Sequence, residues 1–242
     1  MSARFPPLTP VIRVAAALTF ASMAGTAGFL LGRYPLLTRF LPVHFGRMDM
    51  PDRWRAKSLS LVLMPFWVQI ALTLALGAIA VILLWRAAPR AGQPDGVPSG
   101  SREEDAERMI AVAEAVALLL LVWVAFQAFA AVEVVDLWQR GWGGLGRAYA
   151  AGLLTGVALS AAIGVYTMVR IGRPPARGWD EGPHWRLRHL YFNPADPALF
   201  VPDRRGAGWT LNFGRPAAVV LIAFVILFGV GAPWFIIRSL VR

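Results

Sequence analysis

The sequence predicts an all-α integral membrane protein, organised as a five-helix transmembrane bundle with a small extramembrane loop that contains a hairpin. Apolar residues make up 57% of the chain and charged residues only 16%, well below the roughly 25% usual in soluble domains. Five uncharged stretches are long enough to cross a bilayer, since about 20 helical residues span its hydrocarbon core. Tryptophans and basic residues mark several ends of these stretches, as the bilayer interface favours.

The predicted spans cover, in order, residues 14–31, 58–85, 115–132, 148–169 and 216–237. All are predicted as helices, because a spanning segment must satisfy its backbone hydrogen bonds internally and the short alternating strands of a barrel are not seen. The first apolar run is longer than a signal segment usually is, which predicts an uncleaved anchor. Ser101 followed by Glu104 forms a capping-box pattern, so the third helix is predicted to begin near Arg102.

The composition of the connecting segments predicts four parts of the chain. They are a two-span module with its loop (1–85), a flexible linker with the start of helix three (86–107), a two-span helical hairpin (108–170), and an aromatic-rich loop with the final span (171–242). In the last part, Leu211 and Phe213 alternate with polar residues and predict a short strand, while Gly206 and Gly208 permit a hairpin.

The net charge of +10 lies mainly between the apolar runs. Anionic lipid head groups and the positive-inside effect explain that placement better than nucleic-acid binding does. Five spans put the two termini on opposite sides of the membrane. The face that carries the N-terminus, the linker and the long fourth loop holds more lysine and arginine, which predicts a cytoplasmic N-terminus, although the basic first loop opposes this orientation.

The residue types predict no enzyme, no cofactor and no metal site. Cysteine is absent, so thiolate nucleophiles and Cys-based metal sites are excluded. His44, His184 and His189 lack the spacing of zinc motifs, and neither a G-x-S-x-G elbow nor a Walker loop is present.

Three polar side chains lie in or near the predicted spans. Glu114 is a carboxylate near an otherwise apolar stretch, and an ionisable group inside a membrane indicates a functional site such as a proton or ion site. Glu114 also lies close enough to the start of its helix to reach the interface. Gln69 and Gln127 lie deeper, where they are expected to form hydrogen bonds between helices.

Small residues recur at four-residue spacing in the fourth span, at Gly152, Gly156, Ser160 and Gly164. Positions four apart share one helical face, and small side chains there allow two helix backbones to approach closely. Packing within the bundle is one interpretation of this face. A homodimer or partner-helix interface is the other.

The loop between the first two spans carries a motif that includes Pro42, His44, Pro51, Asp52 and Lys57. Both prolines stiffen the loop because their φ angles are fixed, and Asp52 and Lys57 are expected to pair across it. Over residues 41–57 the loop resembles the N-terminal domain of the SdpI-like family, in which a P-x-H, P-D and K pattern precedes a long apolar helix. The resemblance implies a bacterial inner-membrane protein.

A second motif lies before the final span, over residues 191–216, and is similar to an uncharacterised module of bacterial membrane proteins. Its candidate functional residues are Asn193, Pro194, Asp196, Gly206, Gly208, Trp209 and Asn212. Asn-Pro and Asp-Pro dipeptides form turns, so the module is expected to be a small hairpin. Its role is predicted to be either a structural cap or a docking surface for another protein.

The SdpI-like resemblance implies binding as the function, in immunity to a peptide toxin or in sensing coupled to a cytoplasmic regulator. The residues themselves leave two alternatives open. One is a small transporter-like component that uses Glu114 and the loop residues His44 and Asp52. The other is a structural subunit of a larger membrane complex, and the expected environment in every case is a lipid bilayer.

Overall fold

The computed structural model describes residues 8–46, 50–87, 99–141, 143–172, 183–187, 189–196, 198–203 and 209–226. The described residues group into two compact units. The first unit extends from the start of the described chain to Ala80 and also contains Glu114–Val165. The second unit contains Val81–Ala113 and the described chain from Tyr166 onward.

Helices account for most of the described chain. They are α1 (Pro10–Arg33), α2 (Leu59–Val62), α3 (Met64–Ala87), α4 (Ser99–Arg140), α5 (Arg147–Ile171) and α6 (Pro216–Ile226). Four of them, α1, α3, α4 and α5, are long and apolar enough to cross a membrane. The prediction of a helical, multi-pass membrane protein is therefore confirmed. The rest of the fifth predicted span, after Ile226, lies outside the described residues.

The helix ends follow from local sequence chemistry. The side chain of Thr9 caps α1 by accepting a hydrogen bond from the backbone N–H of Ile12, and Pro10 occupies the first turn, where a missing N–H costs nothing. Ser58 caps α2 in the same way, with Leu61 as the donor. The third predicted helix, α4, begins at Ser99 rather than near Arg102, a difference that is common at helix ends.

The described strands form three two-stranded antiparallel sheets. They pair β1 (Phe40–Phe45) with β2 (Pro51–Ala56), β3 (Trp185–Arg186) with β4 (Leu190–Tyr191), and β5 (Phe200–Pro202) with β6 (Trp209–Leu211). The first sheet belongs to the first unit and the other two belong to the second. The strand predicted around Leu211 and Phe213 ends at Leu211, because Phe213 lies in the turn that follows.

A hydrophobic cluster in the first unit joins the loop to the helix ends. Its buried members are Leu30, Leu37, Leu41, Val62, Leu63, Ala131, Val135 and Trp138. These side chains come from α1, from β1 and the segment before it, from α2 and the residue that links it to α3, and from the C-terminal part of α4. The loop is consequently packed against the bundle rather than projecting from it.

Candidate functional site

The β1–β2 hairpin carries the loop motif that the sequence singled out. Pro42 pairs with Trp54, and Pro51 pairs with Phe45 at the other end of the ladder. The pairing is irregular on both sides of His44, which lies opposite Arg53. Bulges of this kind redirect side chains and are frequent near functional sites. The irregular pairing therefore sets the direction of the His44 side chain.

His44 and Asp52 form a direct side-chain pair on this hairpin. The Nδ1 atom of His44 lies 2.6 Å from Oδ1 of Asp52, and the two side chains are 54% and 49% exposed. The prediction that Asp52 pairs with Lys57 is wrong. Because β2 runs antiparallel to β1, Asp52 lies beside His44, whereas Lys57 lies beyond the end of the strand.

Lys57 fixes the base of the hairpin. Its ammonium group donates hydrogen bonds to the backbone carbonyls of Tyr34, at 3.1 Å, and Leu37, at 2.8 Å. The same nitrogen lies 4.8 Å from the centre of the Tyr34 ring, within the range of a cation–π contact. Lys57 thereby satisfies the carbonyl of Tyr34, which caps the C-terminal end of α1, and the carbonyl of Leu37 in the segment that follows. A cation is also favoured at a helix C-terminus by the helix dipole.

Trp138, near the end of α4, holds the hairpin from a second direction. Its indole Nε1 donates a buried hydrogen bond of 3.0 Å to the backbone carbonyl of Pro42. That carbonyl belongs to the residue of β1 that pairs with Trp54 of β2. With Lys57 at its base and Trp138 along β1, the hairpin is a fixed support for the exposed pair.

Glu114 lies within α4 and is buried, with 5% of its surface exposed. Its neighbours along the helix, Ala113, Ala115 and Val116, are buried as well. A carboxylate in such a position is costly unless its charge is compensated. Burial distinguishes Glu114 from Glu104 on the same helix, whose side chain is 62% exposed in an ion pair with Arg108.

Gln69 connects three helices, as its position in the sequence predicted. Its Nε2 atom donates to the hydroxyl of Thr26 on α1, at 3.0 Å, and to the carbonyl of Val124 on α4, at 2.9 Å. Its Oε1 atom is buried and has no hydrogen-bond partner in the described part of the chain. Gln127, the other glutamine expected to bridge helices, forms no hydrogen bond with any described residue.

The small-residue face of α5 is used unevenly. A Cβ atom on Gly152 would lie 2.6 Å from the ring of Phe129 on α4, and one on Gly156 would lie 3.8 Å from Trp123. The hydroxyl of Ser160 donates to the carbonyl of Gly156, and a Cβ atom on Gly164 would meet nothing within 4 Å. The N-terminal part of this face therefore packs within the bundle, and the part around Gly164 stays open among the described residues.

Asn212 organises the second motif. Its side chain is completely buried. The Oδ1 atom accepts from the backbone N–H groups of Asn193 and Gly214, each at 3.0 Å, and the Nδ2 atom donates to the carbonyls of Asn193, Asp196 and Ala198. One amide thereby joins the turn that contains Asn193 to the segment that enters α6.

The turn before β5 is held by its own polar residues. The Oδ1 atom of Asn193 accepts from the backbone N–H groups of Ala195 and Asp196. The hydroxyl of Tyr191 donates to Oδ2 of Asp196, at 3.0 Å, and the other Asp196 oxygen accepts from the N–H of Ala198. Pro194 lies inside this turn. Asn193 and Asp196 are thus engaged in structural hydrogen bonds.

Trp209 is the remaining described candidate of the second motif. Its indole N–H donates to the carbonyl of Gly172, at 3.0 Å, and the guanidinium of Arg108 lies 4.1 Å from the centre of its ring. Arg108 also lines a cleft of about 380 Å³, together with Glu104, Glu107, Arg170 and Ile171. Gly206 and Gly208, the other two candidates, lie outside the described residues.

Gly214 is a residue that the sequence analysis missed. A Cβ atom at this position would lie 2.6 Å from the backbone carbon of Asn193 and from the nitrogen of Pro194, so another residue cannot be placed there without moving the backbone. The only sequence signal was its position two residues after Asn212, within the second motif. Gly214 allows the close approach that the Asn212 bonds require.

Residues 194–219 match a family described as a family of unknown function (DUF5808). No curated protein and no solved structure matches the chain. The matched residues overlap the second motif, which carries the Asn212 network, and lie outside the β1–β2 hairpin. The SdpI-like resemblance of residues 41–57 therefore stays a hypothesis.

Proposed function

We propose that the protein belongs to the bacterial inner membrane and acts by binding a partner, in toxin immunity or in signal sensing, rather than by catalysis. The resemblance of residues 41–57 to SdpI-like proteins supports this proposal. The structural observation that carries it is the exposed His44–Asp52 pair on a hairpin fixed by Lys57 and Trp138. A polar pair on a rigid support loses little further entropy on binding, which favours recognition.

The proposed orientation assigns different partners to the two motifs. With a cytoplasmic N-terminus, the β1–β2 hairpin follows the first span and faces the outside, where a secreted peptide toxin would meet it. The linker and residues 171–215 then face the cytoplasm, where a regulator would bind. The cleft beside Trp209, with its mixture of carboxylates and arginines, supports docking of a polar surface there.

The chain is proposed to have five spans, with α6 continuing through the residues after Ile226. Pro216–Ile226 contains no charged residue, and the sequence remains uncharged to Ile237. An uncharged helix of that length suits a bilayer core of about 30 Å.

Substitution of His44 or Asp52 tests the proposed binding function. His44→Gln removes the imidazole and Asp52→Asn removes the carboxylate charge, and each substitution keeps roughly the size of the side chain. In cells challenged with peptide-containing culture supernatants of competing strains, both variants should lose protection and remain in the membrane at the wild-type level. His189→Ala, which removes an exposed histidine from the other unit, is the matched control. Full protection by both hairpin variants would contradict the proposal.

A second candidate function rests on the burial of Glu114. A carboxylate buried in a helix that spans the membrane suits a proton or ion pathway, as expected of a small transporter. In proteoliposomes that hold a pH-sensitive dye, Glu114→Gln should abolish proton movement driven by a pH gradient, because the amide cannot exchange a proton. Glu104→Gln, at an exposed position of the same helix, should change nothing. An unchanged flux in Glu114→Gln removes this residue from any transport mechanism.

A further inference from the structure

The β1–β2 hairpin presents a strongly basic surface that the proposed partner site does not use. We define the basic hairpin surface as Arg39, Phe40, Arg53, Trp54 and Arg55. All five residues are exposed, and the whole of β2 from Asp52 to Ala56 is exposed along one edge of a two-stranded sheet. Phe40 and Trp54 are 53% and 50% exposed, so large aromatic rings are exposed on the same two strands that carry or adjoin the arginines.

The arginines of this surface carry charges that no residue described by the structure neutralises. Among the residues that the structure describes, Arg39, Arg53 and Arg55 form no ion pair. The guanidinium of Arg39 lies 5.9 Å from the Phe40 ring, and the nearby carboxylate of Asp52 is engaged by His44. Three cations and two aromatic rings are therefore available to an external anion with an apolar body beside it.

The surface lies where the membrane-spanning helices end. The hairpin connects α1, which ends at Arg33, with α2 and α3, which begin at Leu59 and Met64. Lys57 ties its base to the C-terminal end of α1, and Trp138 ties β1 to α4 just before α4 ends at Arg140. Because α1, α3 and α4 are long and apolar enough to cross the bilayer, their common end lies at the level of the lipid head groups.

We propose that the basic hairpin surface binds anionic phospholipids of the adjacent leaflet. The arginines contact the phosphodiester head groups, for which a planar guanidinium is well suited. Phe40 and Trp54 lie in the interfacial layer, as aromatic side chains do where one part is apolar and another is wet. Lipid contact would hold the hairpin in place and leave His44 and Asp52 available to a partner, so this inference goes beyond the proposed function.

Native mass spectrometry of the full chain in detergent tests the proposal with defined lipids. Wild-type protein should retain phosphatidylglycerol in preference to phosphatidylcholine. Arg53→Gln and Arg55→Gln should each lower that preference by roughly fivefold, as expected for one basic residue beside an anionic surface. Arg53→Lys and Arg55→Lys keep the charge and should lose less.

Arg140→Gln is the matched control, because Arg140 lies at the same end of α4 but is already paired with Asp136 at 2.9 Å. It should retain the wild-type preference, as should His44→Gln, which separates this inference from the proposed partner site. Equal retention of phosphatidylglycerol and phosphatidylcholine by the wild-type protein would overturn the proposal. This measurement does not depend on whether the variants fold.

Two competing occupants have distinct outcomes. Displacement of phosphatidylglycerol by millimolar inorganic phosphate would indicate a soluble phosphate ligand. Binding of a polyglutamate peptide that depends on Arg53 and Arg55, without any lipid preference, would indicate an acidic protein partner. Either result would replace the lipid assignment.

Discussion

Asn212 and Gly214 show how two residues shape the second motif. The buried Asn212 amide satisfies donors and acceptors from three segments of backbone, and a half-satisfied amide at this depth would be strongly destabilising. Gly214 accepts no side chain because the backbone of Asn193 and Pro194 lies against it. The match to a family at residues 194–219 covers both positions, and a structural role of this motif accounts for the polar residues without a ligand.

Gly214→Ala should destabilise this motif by about 1–3 kcal/mol, the usual cost of forcing a methyl group into a packed site. The obstructing atoms belong to the backbone, which limits relaxation. The thermal midpoint of the purified chain in detergent measures the effect. Gly25→Ala is the control, since a Cβ atom there meets nothing within 4 Å and alanine favours the helix. A midpoint equal to that of the control would show that the close approach is not needed.

The candidate residues of the first loop were predicted from the sequence, but most of their contacts were not. The motif identified His44 and Asp52, and the structure brings these two together. Lys57 was expected to pair with Asp52 because opposite charges in one short loop suggested it. Lys57 instead binds the carbonyls of Tyr34 and Leu37. That contact depends on how the chain folds back after β2, and a pattern of residue types does not specify this geometry.

Among the elements, the helices were the most predictable and their partners the least. Length and apolar character alone predicted α1, α3, α4 and α5, because lipid requires internally bonded backbone. The bond from Trp138 to Pro42 joins residues 96 positions apart, so local patterns contain no signal for it. The C-terminal end of α4, at Arg140, lies beyond the apolar stretch that predicted the span, because that stretch stops at the charged residue Glu133.

The uneven use of the α5 face gives a prediction for that helix. Gly152→Ala should lower the thermal midpoint in detergent, because its methyl group would lie 2.6 Å from the Phe129 ring and require that ring to move. Gly164→Ala should have no effect on folding, since its Cβ atom meets nothing within 4 Å. Equal changes of the thermal midpoint in Gly152→Ala and Gly164→Ala would contradict the view that only the N-terminal part of this face packs within the bundle. A change of oligomeric state in Gly164→Ala would instead indicate a homodimer interface at the open part.

For the whole molecule, the number of spans decides on which side of the membrane the C-terminus lies. Four described helices can span the bilayer, and an even number would return the chain to the side on which it began. A fifth span at residues 216–237 would place the two termini on opposite sides. Three of these four helices, α3, α4 and α5, lie in the sequence between the hairpin with His44 and the motif with Asn212.

Reporter fusions at the two termini test the five-span arrangement. Green fluorescent protein fluoresces when it folds in the cytoplasm, and alkaline phosphatase is active only after export. Five spans with a cytoplasmic N-terminus predict fluorescence from a fusion before Met1 and phosphatase activity from a fusion after Arg242. Truncation after Arg215 removes the last predicted span, and a phosphatase fusion at that point should be inactive because an odd number of spans becomes even. An active truncated fusion together with an inactive full-length fusion would show that the orientation is the reverse of the proposed one. The same phosphatase activity from both fusions would show that residues 216–237 do not span the membrane.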